Sequence, residues 1–386
     1  MKAVWAYPWA LRENGLADTC QELTAAGVDR LNVAAHYHSI RTLNPRSESN
    51  PFTDSSGGCF FRPDDAHFSE SPIDPPVCER SGVSDPLGDV IDAANAAGLD
   101  VSAWTVCLHS SRLASEYPEY RPVGPFGTIH EHGLCPSHPA VQTYLSALVR
   151  ALADRGVSRI DLESIGYPTA LHPHGESFGH LKNFAASDDP SRALLSQCFC
   201  EGCRERADFD LESAAKLVRD LLSKSLNSVQ AAHGPTLADL ADEHPRLTDL
   251  LAFRRETITE LVSRLAANSG DATLNYYVAD GLGRGVDDGR WAGVHLEELA
   301  SHLDAVTALY YSDDASVTAG RVRRIRERTG LPTEAGITVD PGVWPEESGW
   351  RRAVDAVLEE EPAGLHVYNH SLMTDEHVDW LGRVEP

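Results

Sequence analysis

Three thiols fall within six positions in Cys198-Phe199-Cys200-Glu201-Gly202-Cys203. Cysteines that merely pack a core are scattered, whereas thiolates at C-x-C-x2-C spacing suit a tetrahedral zinc ion that needs one more ligand. Cys135, in Leu134-Cys135-Pro136-Ser137-His138-Pro139, is the leading fourth ligand, and Cys107 is the runner-up. Four thiolates would close the coordination shell, so the expected zinc is structural rather than catalytic. The alternative is a set of reduced thiols without metal. The chain has eight cysteines, and its opening residues read directly as a strand rather than as a secretory leader. Disulfides are therefore not expected, and the expected location is cytoplasmic.

The carboxylates suggest a second kind of chemistry. Glu163 ends the strand-like run Val157 to Glu163, and Asp161 lies two residues earlier, on the same side of an extended chain. Two converging carboxylates raise the pKa of one of them, which suits a general acid. The alternative for either is a structural acid in a salt bridge. Glycoside hydrolysis needs a second carboxylate. Glu334 is the choice, with Asp313 and Asp314 as rivals. In a retaining glycosidase the two carboxyls stand about 5–5.5 Å apart, one attacking the sugar and the other protonating the leaving oxygen. Glu163 is thus read as acid/base and Glu334 as nucleophile.

Aromatic residues cluster at expected strand ends: Trp5, Tyr7, Trp9, Tyr37, Trp104, Tyr276, Tyr277, Tyr310, Tyr311 and Tyr368. Such rings stack on the C–H faces of sugars while polar groups orient the hydroxyls. Strand alternation lets only one of Tyr276/Tyr277, and one of Tyr310/Tyr311, point inwards. Histidines gather there too: His36, His38, His109 and His370. The His-x-His pair could bind a catalytic metal, as in a metal-dependent sugar isomerase or hydrolase. Hydrogen bonding to substrate hydroxyls is the favoured use. The substrate-binding set is then His36, His38, Arg41, Trp104, His109, Tyr277, Tyr311, Tyr368 and His370. The loop residues His130, His132, His172, His174 and His180 read mostly as solvated.

Strand-like and helix-like segments alternate along the whole chain, with strands near residues 3–7, 29–35, 100–106, 157–163, 272–278, 306–311, 332–337 and 364–368. Helical patterns lie between them, one ending in Ala96-Ala97-Gly98, a helix-stop signal. Eight such units predict a (β/α)8 barrel as one domain over residues 1–386. Two insertions, 39–84 and 164–208, follow strands two and four and would lie at the C-terminal face, where this fold builds active sites. Gly281-Leu282-Gly283-Arg284-Gly285 lacks the spacing of a dinucleotide fingerprint and reads as a plain loop.

Composition narrows the partners. The formal net charge is -25. Lysine occurs only at Lys2, Lys182, Lys216 and Lys224. Such a surface repels phosphates, so neither nucleic acid nor anionic membrane is an expected partner. It resembles the surface of a halophilic protein, where salt screens self-repulsion. An ordinary acidic enzyme is the alternative. No run of about 18 apolar residues is present.

The order Cys-Pro-x-x-Pro, helix, strand ending in glutamate, then Cys-x-Cys-x-x-Cys resembles the β-galactosidases of glycoside hydrolase family 42. The segment Val141 to Pro168 also resembles uncharacterised barrel proteins described as hypothetical glycosyl hydrolases, in which a strand of the type Asp-x-Glu-x-x-x-Tyr-Pro recurs. The resemblance covers about residues 130–205. It implies a (β/α)8 catalytic domain, Glu163 as acid/base, a nucleophilic glutamate on strand seven at Glu334, and zinc held by Cys135, Cys198, Cys200 and Cys203. In the family an asparagine precedes the acid/base glutamate; here Leu162 does. The expected activity is glycoside hydrolysis of a small carbohydrate substrate, and a homo-oligomer is compatible with it. A carbohydrate-binding barrel without catalysis is the other alternative.

Overall fold

The computed structural model describes residues 1–48, 50–78, 83–186, 189–227, 234–278, 289–309 and 311–385. Tyr310 and the 281–285 glycine-rich run lie outside the described residues.

Eight strands form the barrel: β1 (Lys2–Ala6), β2 (Arg30–Tyr37), β3 (Asp100–Val106), β4 (Arg159–Glu163), β5 (Thr273–Val278), β6 (Ala305–Leu309), β7 (Thr333–Thr338) and β8 (Leu365–Tyr368). Each pairs in parallel with the next, and β1 pairs with both β2 and β8, which closes the sheet. The protein is therefore a (β/α)8 barrel, as expected. Helices wrap it because parallel strands must be covered on the outer face. They include α1 (Leu16–Ala25), α2 (Pro86–Ala97), α3 (Pro139–Ala153), α4 (Leu211–Ser225), α5 (Pro245–Ala266), α6 (Ala315–Thr329), α7 (Glu347–Leu358) and α8 (Asp375–Gly382). Helix α2 shows the local logic. Asp85 accepts from the Gly88 amide, Pro86 occupies the first turn, and Gly98 closes the helix at φ 79°. No described helix is long and apolar enough to cross a membrane.

The first insertion folds back on the barrel. Ile40–Leu43 pairs antiparallel with Phe52–Ser55, and Gly58–Cys59 adds an antiparallel bridge to β2. Gly58 has φ 113°, and a β-carbon there would stand 2.2 Å from the Pro76 carbonyl oxygen, so only glycine fits. The second insertion carries a small hairpin, His174–Gly175 with Gly179–His180, and two short helices, Asp189–Leu195 and Glu201–Arg206.

The barrel interior is polar at the bottom and aromatic above. Strand β4 places Arg159, Asp161 and Glu163 on one side by alternation. Arg159 donates from Nε to Asp161 at 2.7 Å and from Nη1 to Glu334 at 2.7 Å, with a second, shorter contact to the other Glu334 oxygen. Asp161 also accepts from Ser102 (2.5 Å), Asn275 (2.9 Å) and Tyr277 (2.8 Å). Glu334 accepts from Thr307 at 3.1 Å and lies 2.9 Å from His366 Nε2.

These contacts correct one expectation. Glu334 is the second residue of β7, so it sits at the N-terminal end of its strand, beside the first residue of β4. The structure does not bring it together with Glu163, which lies four residues further up β4, about 13 Å at the usual strand rise. Burial pushes the Glu334 carboxyl up, but His366 and Arg159 outweigh burial and hold it well below the usual range. A depressed carboxylate stabilises the fold above its unfolded pKa of about 4.3 and loses that contribution as pH falls through the lower folded value. Glu334→Gln should therefore cost roughly 3–5 kcal/mol in urea unfolding at neutral pH. The gap from wild type should narrow in acid. A variant as stable as wild type at neutral pH would show that this ion-pair network does not hold the barrel base.

Candidate active site and metal centre

Glu163 is the last residue of β4, at the C-terminal mouth. Trp104, in β3, donates Nε1–H to Glu163 Oε2 at 2.5 Å. Burial raises the Glu163 carboxyl above the usual range, and the Trp104 hydrogen bond pulls the other way. The raised value was expected from Asp161, but the cause is different. Asp161 lies one inward position below, fully buried, and its oxygens are taken up by Arg159, Ser102, Asn275 and Tyr277.

Rings surround this carboxyl. Tyr37 meets Trp104 edge-on at 4.6 Å, and Tyr7 stacks on Trp9 at 4.7 Å and near Trp104 at 5.7 Å. Tyr7 Oη lies 3.4 Å from Tyr37 Oη and 3.3 Å from Tyr368 Oη. Tyr311 is part-exposed at the rim, its ring 5.6 Å from Tyr368. Burial first, and the nearby Glu163 in addition, hold the Tyr7, Tyr37 and Tyr368 hydroxyls above their ordinary pKa. The phenols thus remain neutral donors around a carboxyl whose pKa burial raises. Tyr277 points inwards to Asp161, one layer down, while Tyr276 packs in the outer core, so the expected alternation holds for this pair.

Several sequence-predicted residues lie elsewhere. His36 is fully buried, with Nδ1 2.6 Å from the Val106 carbonyl and Nε2 3.0 Å from Tyr144 Oη. Both nitrogens are occupied, so His36 neither faces a sugar nor joins His38 at a metal. A register shift in β2 between Ala34 and His36 re-aims the strand end. His370 pairs with Arg46 at 3.0 Å and lies 4.0 Å from Glu22 on α1. Arg41 forms an exposed bidentate pair with Asp54 in the hairpin, at 2.6 and 2.8 Å. Asp314 caps α6 through Ser316, and Asp313 is exposed beside it.

The histidines form a group that sequence reasoning passed over. His38 stacks on His109 at 4.6 Å, and His109 meets His172 at 5.1 Å and His132 at 5.6 Å. His132 stacks on His172 at 4.2 Å. His130 and His132 are buried, not solvated. Burial first, then neighbouring imidazoles, depresses His109 to about 3 and His132 to about 2, so these rings are uncharged. The repeated His-x-His at 130/132 and 172/174 was the available signal.

The four cysteines do meet. Cys135 precedes α3, Cys200 caps the short helix Glu201–Arg206, and Cys203 lies within it. All four sulfurs are buried and within 4.8 Å of one another. Three pairs measure 3.6, 3.8 and 3.7 Å: Cys135–Cys203, Cys198–Cys135 and Cys200–Cys203. Metal–sulfur bonds of about 2.3 Å in a tetrahedron require edges of about 3.8 Å, so the group can hold a metal ion. Ser137 Oγ lies 3.3 Å from Cys203 Sγ, His138 Nε2 3.4 Å from Cys200 Sγ, and the Val123 amide 3.4 Å from Cys198 Sγ. The Val123 amide donates to Cys198 Sγ, while Cys203 Sγ donates to Ser137 Oγ and His138 is a polar neighbour of Cys200. Cys107 is apart, 3.6 Å from the Thr105 carbonyl.

No protein-family profile matches the chain, and no curated protein matches its sequence. Solved structures do match its fold. A β-amylase catalytic domain from Paenibacillus polymyxa has TM-score 0.53 at 12% identity, over 100% of this chain and 99% of that one. An α-L-fucosidase isoenzyme from Paenibacillus thiaminolyticus has TM-score 0.56 at 13% identity, over 95% of this chain and 45% of that one. A family 42 β-galactosidase from G. stearothermophilus has TM-score 0.54 at 13% identity, over 99% of this chain and 56% of that one. The chain thus spans about half the length of the latter two. At such identities the likeness is one of fold.

A 13C-detected NMR titration of the glutamate carboxyls should find Glu163 titrating above ordinary glutamate. Removing the Trp104 donor in Trp104→Phe should move it higher still, because that bond favours the ionised form. Movement downwards would contradict the geometry.

Proposed function

We propose that the protein is a glycosidase-like hydrolase acting on a carbohydrate, with Glu163 as general acid/base and a structural zinc ion at the four cysteines. The observation that carries this reading is the Glu163 carboxyl, burial-raised at the barrel mouth and held by Trp104 among tyrosines. With Oε2 engaged by the indole, the proton rests on Oε1, free to pass to a glycosidic oxygen. Tyr7, Tyr37, Tyr311 and Tyr368 offer ring faces for the sugar C–H surface and hydroxyls for its polar edge. The oxygen of an attacking water then bonds the anomeric carbon as its proton passes to the Glu163 carboxylate, which releases the sugar and restores the acid.

Glu334, at the barrel base, is then a structural acid. In this reading the second carboxylate is Asp340, which follows β7 at the mouth end, is exposed, and accepts from the Gly342 amide at 2.7 Å. The neighbours are named for three different sugars, so no sugar is carried over from them. Bound zinc would supply cross-linking and charge. The cysteines themselves tie the turn before α3 to the loop after β4, which stiffens the wall beside Glu163.

Glu163→Gln should lower kcat on activated aryl glycosides by about 10²–10⁴-fold. Asp340→Asn should also lower it. Hydrolysis in wild type should fail as pH rises through the Glu163 pKa, because the acid form is lost. That alkaline limb should move upwards in Trp104→Phe. Unchanged turnover in Glu163→Gln ends the assignment. Metal analysis of protein purified without chelator should find about one zinc per chain, and a chain without metal removes the zinc reading.

A further inference from the structure

Arg254, within α5, is 1% exposed. Its guanidinium lies over the Tyr167 ring, 3.9 Å from the centroid. None of its three side-chain nitrogens has a hydrogen-bond partner among the described residues. Tyr167 Oη bonds Ser137 Oγ at 2.7 Å, and Ser137 Oγ in turn touches Cys203 Sγ at 3.3 Å. Burial weighs most on the guanidinium, and Tyr167, Cys198, Cys203 and Cys135 are the side chains near enough to act against it. A buried cation without a counter-charge costs several kcal/mol, so such a group implies an anion nearby. The thiols are the groups beside it that can supply one. Four thiolates around a divalent ion carry a formal charge of about −2, which is itself costly to bury without a cation.

We propose that Arg254 is the counter-cation of a divalent-metal tetrathiolate formed by Cys135, Cys198, Cys200 and Cys203. The proposal rests on the metal reading above and adds to it a residue remote in sequence from the ligands. It also fixes a sign. With metal bound, the arginine offsets negative charge and stabilises the fold. Without metal there is no fixed dianionic centre for the arginine to offset, so its benefit is confined to the loaded state.

The test uses full-length wild type, Arg254→Met, Arg254→Gln and Arg254→Lys. Each is measured metal-loaded and after chelation under reducing conditions. Zinc affinity is read by competition with a chromophoric chelator, and cobalt substitution reports thiolate coordination by its charge-transfer band. Arg254→Met and Arg254→Gln should weaken zinc binding about 10–100-fold, the usual effect of losing a group that supports metal ligands. Arg254→Lys should keep most of the affinity. In urea unfolding the neutral variants should be less stable than wild type when loaded, and no less stable when metal-free. Wild-type zinc affinity in the neutral variants overturns the proposal. So does equal destabilisation with and without metal, which would mark Arg254 as a packing residue only. Should neither neutral variant hold metal, retention by Arg254→Lys supports the charge role and its loss overturns it. If wild type binds neither zinc nor cobalt, the metal reading itself fails, which is a separate result.

Discussion

Charge is distributed along one strand, and the rest of the molecule follows from that distribution. Strand β4 turns Arg159, Asp161 and Glu163 into the barrel, at its bottom, middle and mouth. The only cation of the three is at the bottom, where it is claimed by Asp161 and Glu334. Buried carboxylates survive in a low-dielectric interior when a cation and several donors meet them. Asp161 and Glu334 have both. Glu163 has an indole N–H and no cation among the groups that shift it, so burial raises its pKa. The same residue types thus give a locked base and a protonatable mouth within one strand.

The loops above the mouth are held by different forces on different sides. From β8 through β1 and β2 to β3, rings pack on rings: Trp5, Tyr7, Tyr37, Trp104 and Tyr368 make a continuous contact set. On the β3 and β4 side, four cysteines and a run of stacked imidazoles join the loops that follow β2, β3 and β4. Arg254 reaches the cysteine cluster from behind, through Tyr167 and Ser137.

Much of this was legible in the residues. Periodicity located all eight strands within a few positions, because parallel strands are apolar on both faces and bounded by helix caps. Glu163 could be placed at a strand end and Cys198, Cys200 and Cys203 could be grouped, since spacing constrains both, whereas the choice of Cys135 over Cys107 as the fourth thiol is settled by the fold. Glu334 was misplaced for a definite reason. A strand pattern gives the face a side chain occupies but only weakly its height, and height separates the barrel base from its mouth. His36 failed similarly: a bulge in β2 re-aimed it towards Tyr144.

The sequence by itself determined the barrel, the strand that ends in Glu163, and the three-thiol run at 198–203, because these rest on local period and short spacing. The tertiary structure alone decided which carboxyl burial raises and which is locked by a cation. It also decided which histidines are buried and where the unpaired guanidinium of Arg254 lies. Those outcomes depend on groups distant in sequence meeting across the barrel, as Arg159 meets Glu334. Electrostatic energy is set by distance and burial, which the order of residues does not specify.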